Sequence, residues 1–180
     1  MNKTHPLKWP INIDGDQSIE NVTIAPLTVG QERELSKIHK DDEKKMLRAC
    51  IVKSTGLTEQ QMLQLVAPDY TTISREVLAL MTKPASEFSS QDIEHDSPVL
   101  LHPIVGDTGE QITSYTIKPP TVQCTDMMDA HKDEWERTMF ISASCSGLSA
   151  TELSRLSLPD WTQMQNRLLD FLTEPADFFQ

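Results

Sequence analysis

Apolar and polar residues alternate at the start of each half of the chain. Ile11 and Ile13 alternate with polar residues before the Asp-Gly-Asp stretch at 14–16, and Val22 and Ile24 then share one face. Alternation on both sides of an Asp-Gly turn predicts a β-hairpin. The second half repeats the arrangement with Ile104, a glycine-containing stretch at 106–109, Tyr115 and Ile117.

Apolar residues recur at helical spacing after each predicted hairpin. One helix is predicted over residues 41–54, and Gly56 follows it as a residue suited to a left-handed C-terminal cap, as Gly147 does in the second half. A longer helix is predicted near the end of each half. The expected buried stripes are Met46, Leu47, Cys50 and Ile51 with Trp135, Met139, Phe140 and Ala143 in the middle helices, and Ile73, Val77, Leu80 and Met81 with Met164, Leu168, Phe171 and Leu172 in the last helices.

Polar residues at capping distance mark where the helices begin. The predicted capping boxes pair Thr28 with Gln31, Thr58 with Gln61 and Ser149 with Glu152. Cys124 stands where the second half should match Gln31, so that helix start is less well defined. Pro68 and Pro159 end the preceding short helix, and the Asp69 and Asp160 that follow them are predicted to cap the last helix of each half.

The two halves align with each other along almost the whole chain. Residues 55–88 align with residues 146–179 at an offset of 91 without a gap, and about a third of the positions are identical. Farther upstream, TIAPLTV at 23–29 aligns with TIKPPTV at 116–122. A repeat of about 90 residues has the size of a small domain.

This repeated order of elements predicts the fold class. We expect an α+β fold of two tandem copies of a small unit, each a β-hairpin followed by about four short helices. Residues 1–88 are assigned to the first copy and residues 98–180 to the second. The polar, acidic stretch 89–97 between them is predicted to be a flexible linker.

The charge of the chain is negative and unevenly distributed. The formal net charge is -11, with 11 Lys and Arg against 13 Asp and Glu before Ile93, and 5 against 14 from Ile93 onward. An acidic surface repels phosphate backbones, so nucleic acid is not expected as a partner. The near-neutral first half also argues against a nucleic-acid mimic, whose carboxylates would have to form one dense face.

Cysteine spacing and hydropathy bear on the compartment. Cys50, Cys124 and Cys145 form no CxxC pair, which favours free thiols in a reducing compartment. The first residues, MNKTHPLKWP, contain no apolar signal-peptide core, and no apolar run is long enough to span a bilayer. No membrane association is therefore expected.

Candidate catalytic and metal-binding residues are few. His131 and Glu134 could share a helix face, but His39 has Asp42 in the matching place, and two ligands do not make a metal site. Ser142, Ser144, Ser146 and Cys145 cluster at a predicted helix end without a nucleophile motif. The GDTG stretch at 106–109 lacks the spacing and lysine of a phosphate loop, and a hairpin turn explains it better.

These observations predict no catalytic residue, no cofactor and no metal site. Recurring carboxylates such as Asp69 and Asp160 could do acid–base work, but helix capping accounts for them. The methionines leave two interpretations open. Most fill gaps in the core, or an exposed subset adapts to varied apolar partners. An enzyme of unknown type would require converging ionisable groups in a pocket.

In their order along the chain, these motifs resemble the Mu-like phage tail assembly chaperone family, the group of tail proteins E, 41 and 14. The first half matches with Leu7, Pro10-Ile11, Gly15, Thr23-Ile24, Pro26, Gly56-Leu57, Leu65, Asp69-Tyr70 and Ile73. The second half matches with Pro103-Ile104, Gly106, Thr116-Ile117, Pro119, Gly147-Leu148, Leu156, Asp160-Trp161 and Met164. The chain departs from the family pattern by carrying two copies of the unit.

The resemblance implies a function and a partner. A chaperone of this family would hold the phage tape measure protein soluble in the host cell cytoplasm until the tail tube polymerises around it, and the tail tube protein is a second candidate partner. The resemblance also implies that the chain is not an enzyme. Two tethered copies would bind neighbouring segments of one partner. The alternative is a structural phage tail or baseplate-associated subunit, and the oligomeric state and contact surface stay open.

Overall fold

The computed structural model describes residues 2–13, 17–90 and 94–179. The chain divides into two compact units, residues 1–82 and residues 83–180. The Asp-Gly-Asp turn predicted at 14–16 and the middle of the predicted linker, residues 91–93, lie outside the described residues.

Unit 1 is a hairpin followed by helices. The strands β1 (Lys3–Asn12) and β2 (Ser18–Ile24) pair antiparallel. The helices after them are α1 (Val29–His39), α2 (Glu43–Thr55), α3 (Glu59–Gln64) and α4 (Ala67–Thr82). Strand β1 begins well before Ile11, where the predicted alternation started, because Pro6 and Pro10 interrupt the alternating pattern.

Unit 2 repeats this order. A short 3₁₀ turn (Ala85–Glu87) comes first, and the Ser86 amide donates a hydrogen bond to Oε1 of Gln163 at 3.3 Å. The hairpin strands are β3 (Val99–Val105) and β4 (Gln111–Ser114). The helices are α5 (Val122–Asp129), α6 (Glu134–Ser146), α7 (Ala150–Arg155) and α8 (Leu158–Thr173), and a 3₁₀ turn (Ala176–Phe178) follows. The predicted α+β fold of two repeated units is thus confirmed.

The predicted capping chemistry is present. Capping boxes form at α1, α3 and α7, and Thr121 caps α5 without a reciprocal partner. Gly56 and Gly147 end α2 and α6 with φ of 71° and 73°. Because these positive φ values strain any residue with a Cβ, glycine is favoured there. Local residue pairs set these helix ends, which explains why the sequence revealed them.

Helices α2 and α6 are joined to the ends of their hairpins by equivalent long-range hydrogen bonds. In unit 1 the Ala25 amide donates to the Ser54 carbonyl at 3.0 Å, and in unit 2 the Lys118 amide donates to the Cys145 carbonyl at 3.0 Å. The Ser54 hydroxyl also donates to the Ala25 carbonyl at 2.5 Å. Each helix is therefore fixed over its hairpin by backbone pairing as well as by apolar contact.

The predicted buried stripes were right only in part. Leu172 on α8 is 40% exposed, the half-buried residues of the other stripes are Met46, Leu47, Leu80, Met81 and Phe171, and the stripe of α6 was wrong throughout. Trp135, Met139, Phe140 and Ala143 are only half-buried, and the buried residues of α6 are Ile141, Ser142 and Cys145. The small polar Ser142 is buried because its hydroxyl donates to the Thr138 carbonyl at 2.7 Å and accepts from Gln165 at 2.9 Å. Hydropathy alone cannot anticipate a buried hydroxyl that tertiary contacts satisfy.

Each unit has its own core of residues almost without exposure. In unit 1 these include Ile24, Val29, Cys50, Ile51, Ile73 and Val77; in unit 2 they include Ile117, Leu153, Leu156, Met164 and Leu168. Among the helices of the described residues, none combines the length and the apolarity that a membrane span requires.

Candidate partner-binding surfaces

The histidine considered for a metal site has other neighbours. The Nδ1 of His131 lies 3.8 Å from a carboxylate oxygen of Glu136, not of Glu134, and the imidazole packs against the ring of Phe140 with centroids 5.1 Å apart. Within residues 2–13, 17–90 and 94–179, no three His, Cys, Asp or Glu side chains are grouped so that they could hold a metal ion.

The serine cluster is the last turn of α6, as predicted. The hydroxyl of Ser146 donates to the Ser142 carbonyl at 2.6 Å, which ties it to the backbone. Cys145 is buried, and this burial, together with the nearby Cys124, raises the pKa of its thiol to about 11. A thiol of such high pKa is a weak nucleophile at neutral pH.

The recurring aspartates do not cap the last helices, contrary to the prediction. Helices α4 and α8 begin two residues before Asp69 and Asp160, because a proline fits the first turn of a helix, where its missing N–H is not needed. Ser157 is the N-cap of α8, and its hydroxyl oxygen accepts the Asp160 amide at 3.3 Å.

Asp69 instead joins α4 to the hairpin. Its two carboxylate oxygens accept the amides of Lys8 and Trp9 at 3.2 and 3.1 Å. These amides lie in the part of β1 where the pairing with β2 shifts register, between Pro6 and Ile11. The carboxylate therefore satisfies donors that the partner strand does not reach.

Asp160 makes the same connection in unit 2. It accepts the amides of Leu101 and His102 at 2.8 and 3.4 Å, within the register shift between Val99 and Ile104. We refer to each carboxylate with its two amides as an aspartate clamp. The sequence signal that could have identified the clamps is the recurrence of Asp together with a proline-containing first strand in both halves.

The pKa values of the two clamp carboxylates shift in opposite directions. Burial acts to raise the pKa of Asp69, but the amides of Trp9 and Lys8 and the side chain of His5 outweigh it, so the pKa lies below its usual value. Burial raises the pKa of Asp160, and its hydrogen bonds oppose this only in part. Both carboxylates therefore serve the fold by binding strand amides.

The GDTG stretch forms the predicted hairpin turn and is anchored to α7. Gly109 has a φ of 93°, and the Gly106 amide donates to the Glu110 carbonyl at 2.8 Å. The Asp107 amide donates to Glu152 at 3.0 Å, and the Arg155 guanidinium lies 3.1 Å from the Asp107 carboxylate. The polar groups of the GDTG stretch thus hold the turn against α7.

Unit 1 contains an open groove between α1, α2 and α3, which we call the unit-1 groove. Its cavity volume is about 380 Å³. Apolar side chains form its floor and cationic side chains its edge. The lining residues are Leu35, Ala49, Val52 and Met62, with His39, Lys45, Arg48, Lys53 and Glu59 around them. Such a surface can accept apolar side chains and fix their orientation by charge.

The corresponding place in unit 2 is occupied by the protein itself. At the offset of 91 that relates α2 to α6, Phe140 stands at the position of Ala49. Its ring packs against His131, the counterpart of His39 in the repeated His-Lys-Asp sequence. The Phe140 side chain therefore fills in unit 2 the space that Ala49 leaves open in unit 1.

A second apolar surface is shared by both units. Leu78 on α4 and Leu169 on α8 occupy the same repeat position, and their exposed fractions are 42% and 59%. Three residues farther along, on the same helix face, lie Met81 and Leu172.

The two interpretations of the methionines each apply to some of them. Met62 and Met164 are buried in the core, whereas Met127 is exposed.

Sequence reasoning missed the groove, although the repeat contained a signal. The charged positions of α2 differ from those of α6: Lys45, Arg48 and Lys53 stand where unit 2 has Glu136, Met139 and Ser144. A comparison of charge between the two halves, position by position, would have identified a basic patch in an acidic chain.

Comparison with known protein families matches the chain twice. A family model described as phage tail assembly chaperone proteins, E, or 41 or 14, matches residues 4–82 and again residues 97–173. Each match spans one unit, which confirms the tandem duplication. No curated protein and no solved structure matches the chain.

Proposed function

Because the chain belongs to the family of phage tail assembly chaperones, we propose that it binds the tape measure protein and keeps it soluble until the tail tube polymerises around it. The observation that carries the proposal is the family match to both units. The family is generally non-catalytic, and the chain would act in the cytoplasm of the host, where the tail components are made.

The exposed apolar surfaces support a holding role. A long helical tape measure protein would expose apolar stripes and aggregate if it stood alone. Helices that present Leu78 and Leu169 can cover such stripes in helix-to-helix contact. Because the two surfaces belong to one chain, the second contact forms at a high effective concentration once the first has formed.

The test is co-expression of this chain with the tape measure protein of the same phage. We expect the tape measure protein to move into the soluble fraction and to co-purify with the chain. An unrelated acidic protein of similar size serves as the control, since net negative charge alone can improve solubility.

The alternative is a structural tail or baseplate-associated subunit, and the same material distinguishes it. A chaperone leaves before the particle is complete, so purified virions should not contain the chain. An insoluble tape measure protein together with the chain in purified virions would support the structural subunit and contradict the chaperone proposal.

A further inference from the structure

The edge of the unit-1 groove is basic although the chain as a whole is acidic. Lys45, Arg48 and Lys53 line it together with a single carboxylate, Glu59, in a chain with a net charge of -11. Asp42 lies 3.3 Å from the Lys45 ammonium and offsets part of this charge. Within the described residues no ion pair involves Lys53 or Arg48, so both cations can pair with a partner.

Arg48 gives a more specific indication. Its Nε atom is buried and has no hydrogen-bond acceptor within the described part of the chain. A buried donor without an acceptor is unfavourable, and a guanidinium is suited to a carboxylate that approaches along its fork. The Nε atom is inaccessible, so a partner's carboxylate would pair with the other guanidinium nitrogens of Arg48, which lines the groove.

Unit 2 lacks all of these features. Phe140 replaces Ala49, and Glu136, Met139 and Ser144 replace the three cations. Unit 2 thus lacks both the open space and the positive charge at the site that corresponds to the unit-1 groove. The two units therefore differ in a whole surface and not in one isolated substitution. Two copies of one fold thus provide an internal comparison between a groove that is open and one that is closed.

The helices beside the unit-1 groove extend its apolar surface. Ile38 lies three residues after the lining residue Leu35 on α1 and is 70% exposed. Leu63 lies four residues after the lining residue Glu59 on α3 and is 57% exposed, whereas unit 2 has Ser154 in its place. The apolar floor therefore continues outward on both sides, as a helix-binding groove requires.

We propose that the unit-1 groove binds an amphipathic helix of the partner whose apolar stripe is flanked by acidic residues. The inference rests on the proposed function, because it assigns the place where the chaperone holds its tail-protein partner. The apolar stripe lies on Leu35, Ala49, Val52 and Met62, and the flanking carboxylates pair with Arg48 and Lys53. Unit 2 does not contain this site.

The probes are two synthetic helical peptides of equal length with the same leucine stripe, flanked by glutamates in one and by lysines in the other. Binding to the full chain is measured by fluorescence anisotropy at low and at physiological salt. We expect the glutamate peptide to bind at least about tenfold more tightly. Equal affinity for both peptides would overturn the charge assignment.

The variant Ala49→Phe copies unit 2 and should close the groove. We expect it to weaken binding of the glutamate peptide by about tenfold or more. The neutralising double variant Arg48→Gln/Lys53→Gln should remove most of the preference for glutamate, because it removes both cations that are assigned to the flanking carboxylates. Its matched control, Lys37→Gln/Lys44→Gln, changes the charge equally on the same two-helix region but lies outside the lining residues. If the two double variants behave alike, the groove is not the site.

Co-expression of Ala49→Phe with the tape measure protein separates the two proposals. If the wild-type chain and the variant both solubilise the tape measure protein, the groove inference is wrong and the chaperone function stands. If the wild-type chain fails to do so but binds the glutamate peptide in an Ala49-dependent way, the groove stands as a binding site and the tape measure assignment is wrong.

Discussion

Asp69 and Asp160 hold the same place in the two units and accept hydrogen bonds from corresponding amides, yet their pKa values shift in opposite directions. The number of donors does not explain the difference, because Asp160 accepts a third hydrogen bond from the Ser157 hydroxyl at 2.6 Å, while His5 lies 3.5 Å from the Asp69 carboxylate. At Asp160 the cost of burying the charge outweighs the hydrogen bonds, whereas at Asp69 the hydrogen bonds outweigh that cost.

The opposite shifts predict opposite pH dependence. The lowered pKa of Asp69 stabilises the fold above 3.8, and this stability is lost as the pH falls through the folded-state pKa. The raised pKa of Asp160 means that the folded state holds the proton more tightly, so its contribution falls as the pH rises above 3.8. Asp69→Asn should therefore flatten the loss of stability in acid, and Asp160→Asn should steepen it.

Thermal unfolding between pH 3 and pH 6 measures this difference. The change of the midpoint with pH matters here, because both asparagine variants also lower stability at every pH by disturbing the clamp. Parallel pH profiles for the two variants would contradict the opposite shifts.

At the scale of elements, the aspartate clamps show how each unit joins its hairpin to its last helix. Strands β1 and β3 lose their pairing where the register shifts, and the freed amides are bound by a side chain from α4 or α8. The connection is polar and directional. It determines where the helix lies on the hairpin, whereas apolar burial alone would tolerate sliding.

Removal of a clamp should therefore cost more than removal of an exposed carboxylate. Asp160→Ala leaves the amides of Leu101 and His102 without their acceptor, and we expect a loss of about 2–3 kcal/mol in the free energy of unfolding. Asp177→Ala, which alters an exposed carboxylate, should change it by less than about 0.5 kcal/mol.

Chemical denaturation measures both variants, and amide hydrogen exchange locates the effect. The Leu101 and His102 amides should exchange faster in Asp160→Ala than in the wild-type chain. Equal stability losses for the Asp160 and Asp177 variants would show that the clamp contributes little.

At the scale of the whole molecule, the duplication combines a shared surface with an unshared one. Leu78 and Leu169 are exposed at the same position of both units, whereas the unit-1 groove is open at Ala49 and the equivalent position of unit 2 carries Phe140. Under the proposed function, the two copies would bind one extended partner together and still differ in what each recognises. Such an arrangement would increase avidity without a symmetric partner.

If both units hold the partner, Leu78→Ser and Leu169→Ser should each weaken binding of the tape measure protein, by about tenfold. Val99→Ser changes a similarly exposed apolar residue on β3 and serves as the control. Pull-down from co-expressing cells at graded salt and protein concentration measures the loss. If Leu169→Ser does not weaken binding of the tape measure protein, unit 1 binds it alone.

Much of the fold was predictable because its signals are local or repeated. The capping boxes at Thr58 and Ser149, and the glycines at 56 and 147, depend on residues a few positions apart, and the structure has them where the sequence placed them. The repeat itself showed that one unit occurs twice. The predicted starts of α4 and α8 were wrong because a proline can either end one helix or begin another. At α8 the deciding signal is local, since Ser157 caps the helix three residues before Asp160.

The sequence by itself determined the duplicated α+β unit, its helix ends and its family. It could not determine the partners of Asp69 and Asp160, because the amides they bind lie about sixty residues away along the chain and are freed by a register shift that no local pattern encodes. Nor could it show that Ala49 leaves a groove open. Whether a small residue makes a cavity depends on the side chains that other helices bring beside it, and only the tertiary structure brings α1, α2 and α3 together.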